Sequence, residues 1–279
     1  MNAEEESTKK YSFNDWMSEA DDITRQAVSD CFQNRSRGGW EENHITTEVL
    51  TALSELGTTL TWTDLNRKTT WAGYKLKGHS ETRFGDIVVR IRVWLTDSDY
   101  IDGVAFYEAK RQFFKAGQAV GFHSMNEEQL VRITRETHAS NVLLYDVFSR
   151  ENQHIGFLNS LPTIIAENLE KNGVVTGHGR ILYSYSENWV GKLGDNLRGL
   201  SLDFSPSAVS EMESAVNSDS DAPYFVLNAD IALAGLTPKL KLVGSPLQKY
   251  EQFLGEGPVP DELEVANEAK KKRKNQTKN

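Results

Sequence analysis

The chain has 279 residues, 38% of them hydrophobic and 25% charged, a single cysteine (Cys31) and a formal net charge of −9. One cysteine excludes an internal disulfide and a cysteine-built zinc site. No run approaches the roughly 20 apolar residues of a membrane span, and the opening Met1–Glu6 lacks secretory-signal character, so a cytoplasmic protein with no membrane partner is expected. The charge is uneven. Residues 267–279 hold six basic side chains against one acid, Glu268, so the rest carries −14. A body that acidic is poorly suited to grip duplex DNA alone, because phosphate neutralisation supplies most non-specific affinity.

Residues 1–37 read as a helical lead-in with Trp16, Ile23, Ala27 and Val28 as core contacts, and Cys31 as a small buried residue. Arg35–Trp40 is a loop whose two arginines could meet a phosphate or simply be solvated. Residues 41–56 form a helix that stops at Gly57, with Ile45, Val49, Leu53 and Leu56 as its buried stripe. Glu42 falls within about 20° of Val49 and Leu53 on that stripe, whereas Glu48 faces outward. Residues 57–84 suggest a hairpin presenting Trp62, Trp71 and Tyr74, either to the core or to stacked bases beside Lys68, Lys75 and Lys77.

Gly85-Asp86 then opens the apolar run Ile87-Val88-Val89, and Val104–Tyr107 leads into Glu108-Ala109-Lys110. Both read as strands, joined by the turn-like stretch 96–103. Alternation puts Asp86, Val88, Arg90 and Arg92 on one face of the first, and Glu108, Lys110 and Gln112 on one face of the second. Residues 126–139 read as a helix with Leu130, Ile133, Thr134 and Thr137 inside, and 141–148 as a buried strand. Beyond it, 158–169 reads as a helix interrupted at Pro162, Arg180–Tyr185 as a strand, 188–197 as a helix and 214–223 as a surface loop. Residues 261–279 form a basic tail predicted to be disordered. Of the six histidines, His79 alone stands near the Asp86 strand.

Neighbouring strands would bring Asp86, Glu108 and Lys110 to one end of a sheet. Two carboxylates are hard oxygen ligands for Mg²⁺ or Mn²⁺, which retain waters and bind phosphate. A bound cation lowers the pKa of a water and offsets charge developing on a phosphate. A lysine beside it can hold or deprotonate that water. A carboxylate on a buried helix face, such as Glu42, is costly unless used, although a helix N-terminus also favours negative charge.

With these residues the chain resembles the PD-(D/E)XK, or restriction-endonuclease-like, nuclease superfamily over about residues 38–148. Gly85-Asp86-Ile87-Val88 stands where that family has an acid opening one strand, and Glu108-Ala109-Lys110 where it has E-x-K on the next. The proline often written into the signature is replaced by Gly85. The resemblance implies an α/β fold with a restriction-endonuclease-like core, a mixed central sheet flanked by helices, at residues 38–150, followed by a C-terminal α/β elaboration at 151–260. It implies Asp86, Glu108 and the Ala109 carbonyl as ligands of Mg²⁺ or Mn²⁺, Lys110 as the catalytic lysine, and Glu42 as a further acid from the first helix. Gln112, Gln129 and Arg132 could contact a phosphate or the attacking water, or lie on a solvated face. The expected function is metal-dependent hydrolysis of DNA phosphodiester bonds, as the nuclease subunit of a bacterial anti-phage or restriction-type system. DNA, an ATPase or helicase subunit and further copies of the chain are the expected partners. The alternative is a nuclease-fold scaffolding subunit with little catalysis of its own.

Overall fold

A computed structural model describes residues 9–78, 85–150, 153–175, 179–220, 222–236 and 249–255. In chain order, β1 (Lys9–Tyr11) leads into α1 (Phe13–Gln33) and α2 (Glu42–Glu55), then β2 (Thr59–Trp62), β3 (Arg67–Leu76), β4 (Ile87–Trp94) and β5 (Tyr100–Arg111). A small hairpin of β6 (Phe113–Lys115) and β7 (Gln118–Gly121) precedes α3 (Glu127–Glu136), β8 (Ser140–Arg150), β9 (Gln153–Pro162) and α4 (Thr163–Lys171). Next come β10 (Glu187–Asn188), α5 (Trp189–Leu197), α6 (Pro206–Asn217), β11 (Phe225–Leu233) and β12 (Tyr250–Leu254). The large sheet runs β1-β2-β3-β11-β4-β5-β8-β9-β10, with β12 also on β3. It mixes parallel pairs (β11 with β4, β5 with β8) and antiparallel ones (β4 with β5, β8 with β9).

Helices cover both faces, which is why β4 and β8 are nearly continuous apolar runs. Ile87, Val89 and Ile91 of β4 pack with Tyr107 of β5 into a core shared with α1, α2 and α5. Val88, Val104 and Phe106 point the other way, under Ala208, Met212 and Ala215 of α6. On that same side Val142, Leu144 and Leu161 meet Leu130 of α3 and Ala166 of α4. Helix α1 lies so close to β9 that a Cβ at Gly156 would stand 2.3 Å from Arg25 O. Ser29 Oγ meets the β9 backbone there, donating to His154 O (2.5 Å) and accepting from Gly156 N (3.0 Å).

Helices α1, α2, α3 and α5, strands β4 and β8, and β5 from Val104 onward fall where the periodicity puts them. Trp62 of β2 and Trp71 and Tyr74 of β3 are buried within the large sheet's packing, so they are core residues and present no face to a base. Burial also pushes the Cys31 thiol up to about 12. Four readings change. The helix expected at 158–169 is strand β9 as far as Pro162; α4 begins only at Thr163, because proline fits a helix start but not its interior. The strand expected at 180–185 is a 3₁₀ stretch, Gly179–Tyr185. The loop expected from 214 begins only after Asn217, where α6 ends. The turn-like stretch expected at 96–103 ends at Asp99, because β5 already pairs with β4 from Tyr100. Residues 151–260 share the sheet of the preceding segment: β11 lies between β3 and β4, and Phe225 N donates to Asp86 O (2.8 Å). His79 and the basic tail lie outside the described residues.

Candidate active site

Strand β4 starts at Ile87, opposite Tyr107, whereas β5 continues to Arg111. The last residues of β5 therefore have β8 on one side and no strand on the other. Two carboxylates take up the backbone groups left open there. Asp86 donates its N–H to Tyr107 O (3.0 Å), and its Oδ2 accepts from Ala109 N (2.8 Å). One residue pair further on, Glu42 Oε1 at the start of α2 accepts from Arg111 N (3.1 Å). In a strand the N–H and C=O of one residue leave on the same side. The Ala109 carbonyl thus emerges between the Asp86 and Glu42 carboxylates.

Gly85 makes this approach possible. Its φ is +94°, in the left-handed region that favours glycine, and a Cβ would sit 2.9 Å from Tyr107 O.

Glu108 and Lys110, two apart on one face of β5, form a buried ion pair, Lys110 Nζ donating to Glu108 Oε1. Burial raises the Asp86 carboxyl well above the usual range, with repulsion from Glu108 adding to it. Glu108 is raised by burial too, partly offset by Lys110 and by the Gln129 amide of α3. Burial alone would depress the Lys110 ammonium, but Glu108, Asp86 and Glu42 together hold it above its ordinary value. The carboxylates share a pattern. Each has one oxygen tied to the protein, while among the described residues no hydrogen bond closes on Asp86 Oδ1, Glu42 Oε2 or the buried Glu108 Oε2.

The structure thus brings Asp86, Glu108, Ala109, Lys110 and Glu42 together, with Gln129 beside them. Glu48 is exposed on the outer side of α2, as expected. Gln112 is buried, and with its amide oriented oxygen toward β7 it accepts from Val120 N (3.1 Å) and Gly121 N (2.7 Å), tethering the β6–β7 hairpin. Its carbonyl accepts from Trp40 Nε1 (2.8 Å). Arg132 stands exposed one turn beyond Gln129. Arg35 folds back onto Phe32, donating to its carbonyl (3.0 Å).

Two supports were not foreseen. Ser124, in the loop before α3, donates from Oγ to Glu42 Oε1 at 2.8 Å. Thr46 Oγ1 donates to Glu42 O (2.8 Å) and meets the Tyr145 hydroxyl of β8 (2.8 Å), fixing the first turn of α2 against the sheet. Ser124 lies 82 positions from Glu42 in a segment without periodicity, so nothing local in the sequence marks it.

Among the described residues no group of three His, Cys, Asp or Glu side chains closes on a single point as a preformed metal cage. The donor set still suits a hard divalent cation that keeps waters: free carboxylate oxygens, a carbonyl, and an orphaned buried oxygen on Glu108. Nor is any described helix long and apolar enough to cross a membrane. Comparison with known proteins finds no matching family model, curated protein or solved structure.

Proposed function

We propose that this chain is a Mg²⁺- or Mn²⁺-dependent nuclease with a restriction-endonuclease-like core, hydrolysing DNA phosphodiester bonds. The observation carrying the reading is the set of carboxylates at the open end of β5, each tied through one oxygen with the other free, beside a protonated lysine. The order α2, β4, β5, α3, β8 agrees with it, the E-x-K strand pairing in parallel with the strand that follows the helix. β11 lies between β3 and β4, parallel to β4.

Asp86, Glu108 and the Ala109 carbonyl would hold the cation, with Glu42 completing the pocket. When bound, the cation supplies charge stabilisation at a phosphate oxygen and a more acidic water. The chain's own residues supply the rest. Lys110, held as an ammonium, donates to the attacking water or a phosphate oxygen rather than taking a proton. Gln129 steadies Glu108. Ser124 and Arg111 N hold Glu42 in place without occupying its second oxygen. The acidic body fits a subunit whose DNA is delivered by a partner such as an ATPase or helicase in the cytoplasm.

The test is cleavage of supercoiled and linear DNA in Mg²⁺ or Mn²⁺ with Lys110→Ala as control. Metal-dependent cleavage that the variant loses supports the reading. Equal cleavage by the variant refutes the mechanism, and binding without cleavage under either metal refutes the activity in favour of a scaffolding role.

A further inference from the structure

We infer that the groove beyond the carboxylates is a subsite for an unpaired nucleotide, so that the substrate is single-stranded or carries an unpaired segment; this inference rests on the nuclease reading. The groove has a volume of about 670 Å³, within the roughly 300–1,000 Å³ of small-ligand sites. Gln112, two residues past Lys110, forms its floor, so it opens about 7 Å along β5 from the lysine. Its walls are the β6–β7 hairpin at Gly117–Ala119 on one side and Phe148, Ser149 and Arg180 on the other. The hairpin turns through Ala116 and Gly117, both at positive φ, a two-residue turn that fixes the wall.

Arg180 supplies the argument for a flat ring. Its guanidinium lies 3.8 Å over the Phe148 ring. Buried Asp146 holds it there, accepting from Nε (2.9 Å) and Nη2 (3.4 Å), and Nη2 also donates to Val147 O (3.0 Å). Tyr183 OH completes the cradle by donating to Asp146 (3.0 Å). Two of the three guanidinium nitrogens are thus fixed within the protein. Nη1 has no hydrogen bond among the described residues, and the side chain is 39% exposed. The result is a rigid, charge-compensated plate on whose open face a base can stack, with a spare in-plane donor for a neighbouring carbonyl or phosphate oxygen of the strand.

The charge balance points the same way. A chain of net charge −9 gains little from neutralising duplex phosphates, whereas stacking on unpaired bases depends less on charge.

The experiment uses the full chain in EDTA, so that binding is read without turnover, and a fluorescein-labelled oligothymidylate of about a dozen nucleotides. Fluorescence anisotropy is compared with that of a hairpin duplex carrying the same label. Ala119→Trp fills the groove; Gln118→Trp, on the exposed rim, serves if the first variant does not fold. We expect the oligothymidylate to bind more tightly than the duplex, and the tryptophan variant to weaken it about ten-fold with an unchanged thermal melt. Equal binding by the variant, or a wild-type preference for the duplex, overturns the inference. Metal-dependent cleavage of a plasmid is scored separately: its absence defeats the nuclease reading and leaves a measured groove preference standing.

Discussion

Replacing Lys110 by methionine removes the cation of the Glu108–Lys110 pair and leaves every acid of the site in the chain. Glu108 is 1% exposed and Lys110 5%, and Lys110 is the one cation paired with Glu108 among the described residues. Removing one partner of a buried pair leaves an uncompensated charge and costs about 3–5 kcal/mol. At roughly 2–4 °C per kcal/mol for a chain of this size, the melting temperature should drop by about 6–20 °C. The loss should depend on pH. Glu108 is already raised above the usual carboxylate range, and losing its ammonium partner raises it further. A raised carboxyl contributes stability that is fully present below its unfolded pKa, near 4.3, and is lost as pH rises through the folded value. The deficit of the variant should therefore be small near pH 4 and grow toward pH 8. Glu108→Gln combined with Lys110→Met should recover most of it, because a neutral pair of similar shape leaves no buried charge. Differential scanning fluorimetry across pH measures all three proteins. A Lys110→Met protein as stable as wild type at pH 8, or a double variant no better than the single, would refute the reasoning.

Gly85→Ala puts a Cβ against Tyr107 O in a left-handed conformation, so it should destabilise by about 1–3 kcal/mol and abolish metal-dependent cleavage by displacing Asp86; retained activity in a cleavage assay counts against the geometry. Ser124→Ala removes one of the two hydrogen bonds holding Glu42, worth about 1 kcal/mol, and leaves the one from Arg111 N. It should raise the Mg²⁺ concentration for half-maximal cleavage roughly five-fold and lower the melting temperature by no more than about 4 °C, and an unchanged metal requirement would remove Ser124 from the site.

The strands that carry the acids were readable because β4 is strongly β-branched after Gly85 and because the apolar run Val104–Tyr107 leads into Glu108; the polar composition of 96–103 hid the first four residues of β5. Glu42 was readable from its helical phase against Val49 and Leu53, which placed it on the inner side of α2 before any contact was known. Other features depend on pairings that no local pattern encodes. β11 has an apolar strand's composition, but only the register of Phe225 with Ile87 and Lys75 puts it between β4 and β3. Ile181-Leu182-Tyr183 looks like a strand, yet Asp146 draws Arg180 and Tyr183 inward and sets a 3₁₀ path. Gln112 lies just past the end of β5, and no local sequence pattern marks the hairpin backbone that takes up its amide.

Titration of Mn²⁺ by calorimetry at pH 8, into wild type and into Asp86→Asn/Glu108→Gln, asks directly whether these free oxygens grip a cation. The account predicts saturable binding to wild type that the double variant loses by at least about ten-fold. Equal binding by both proteins would contradict it.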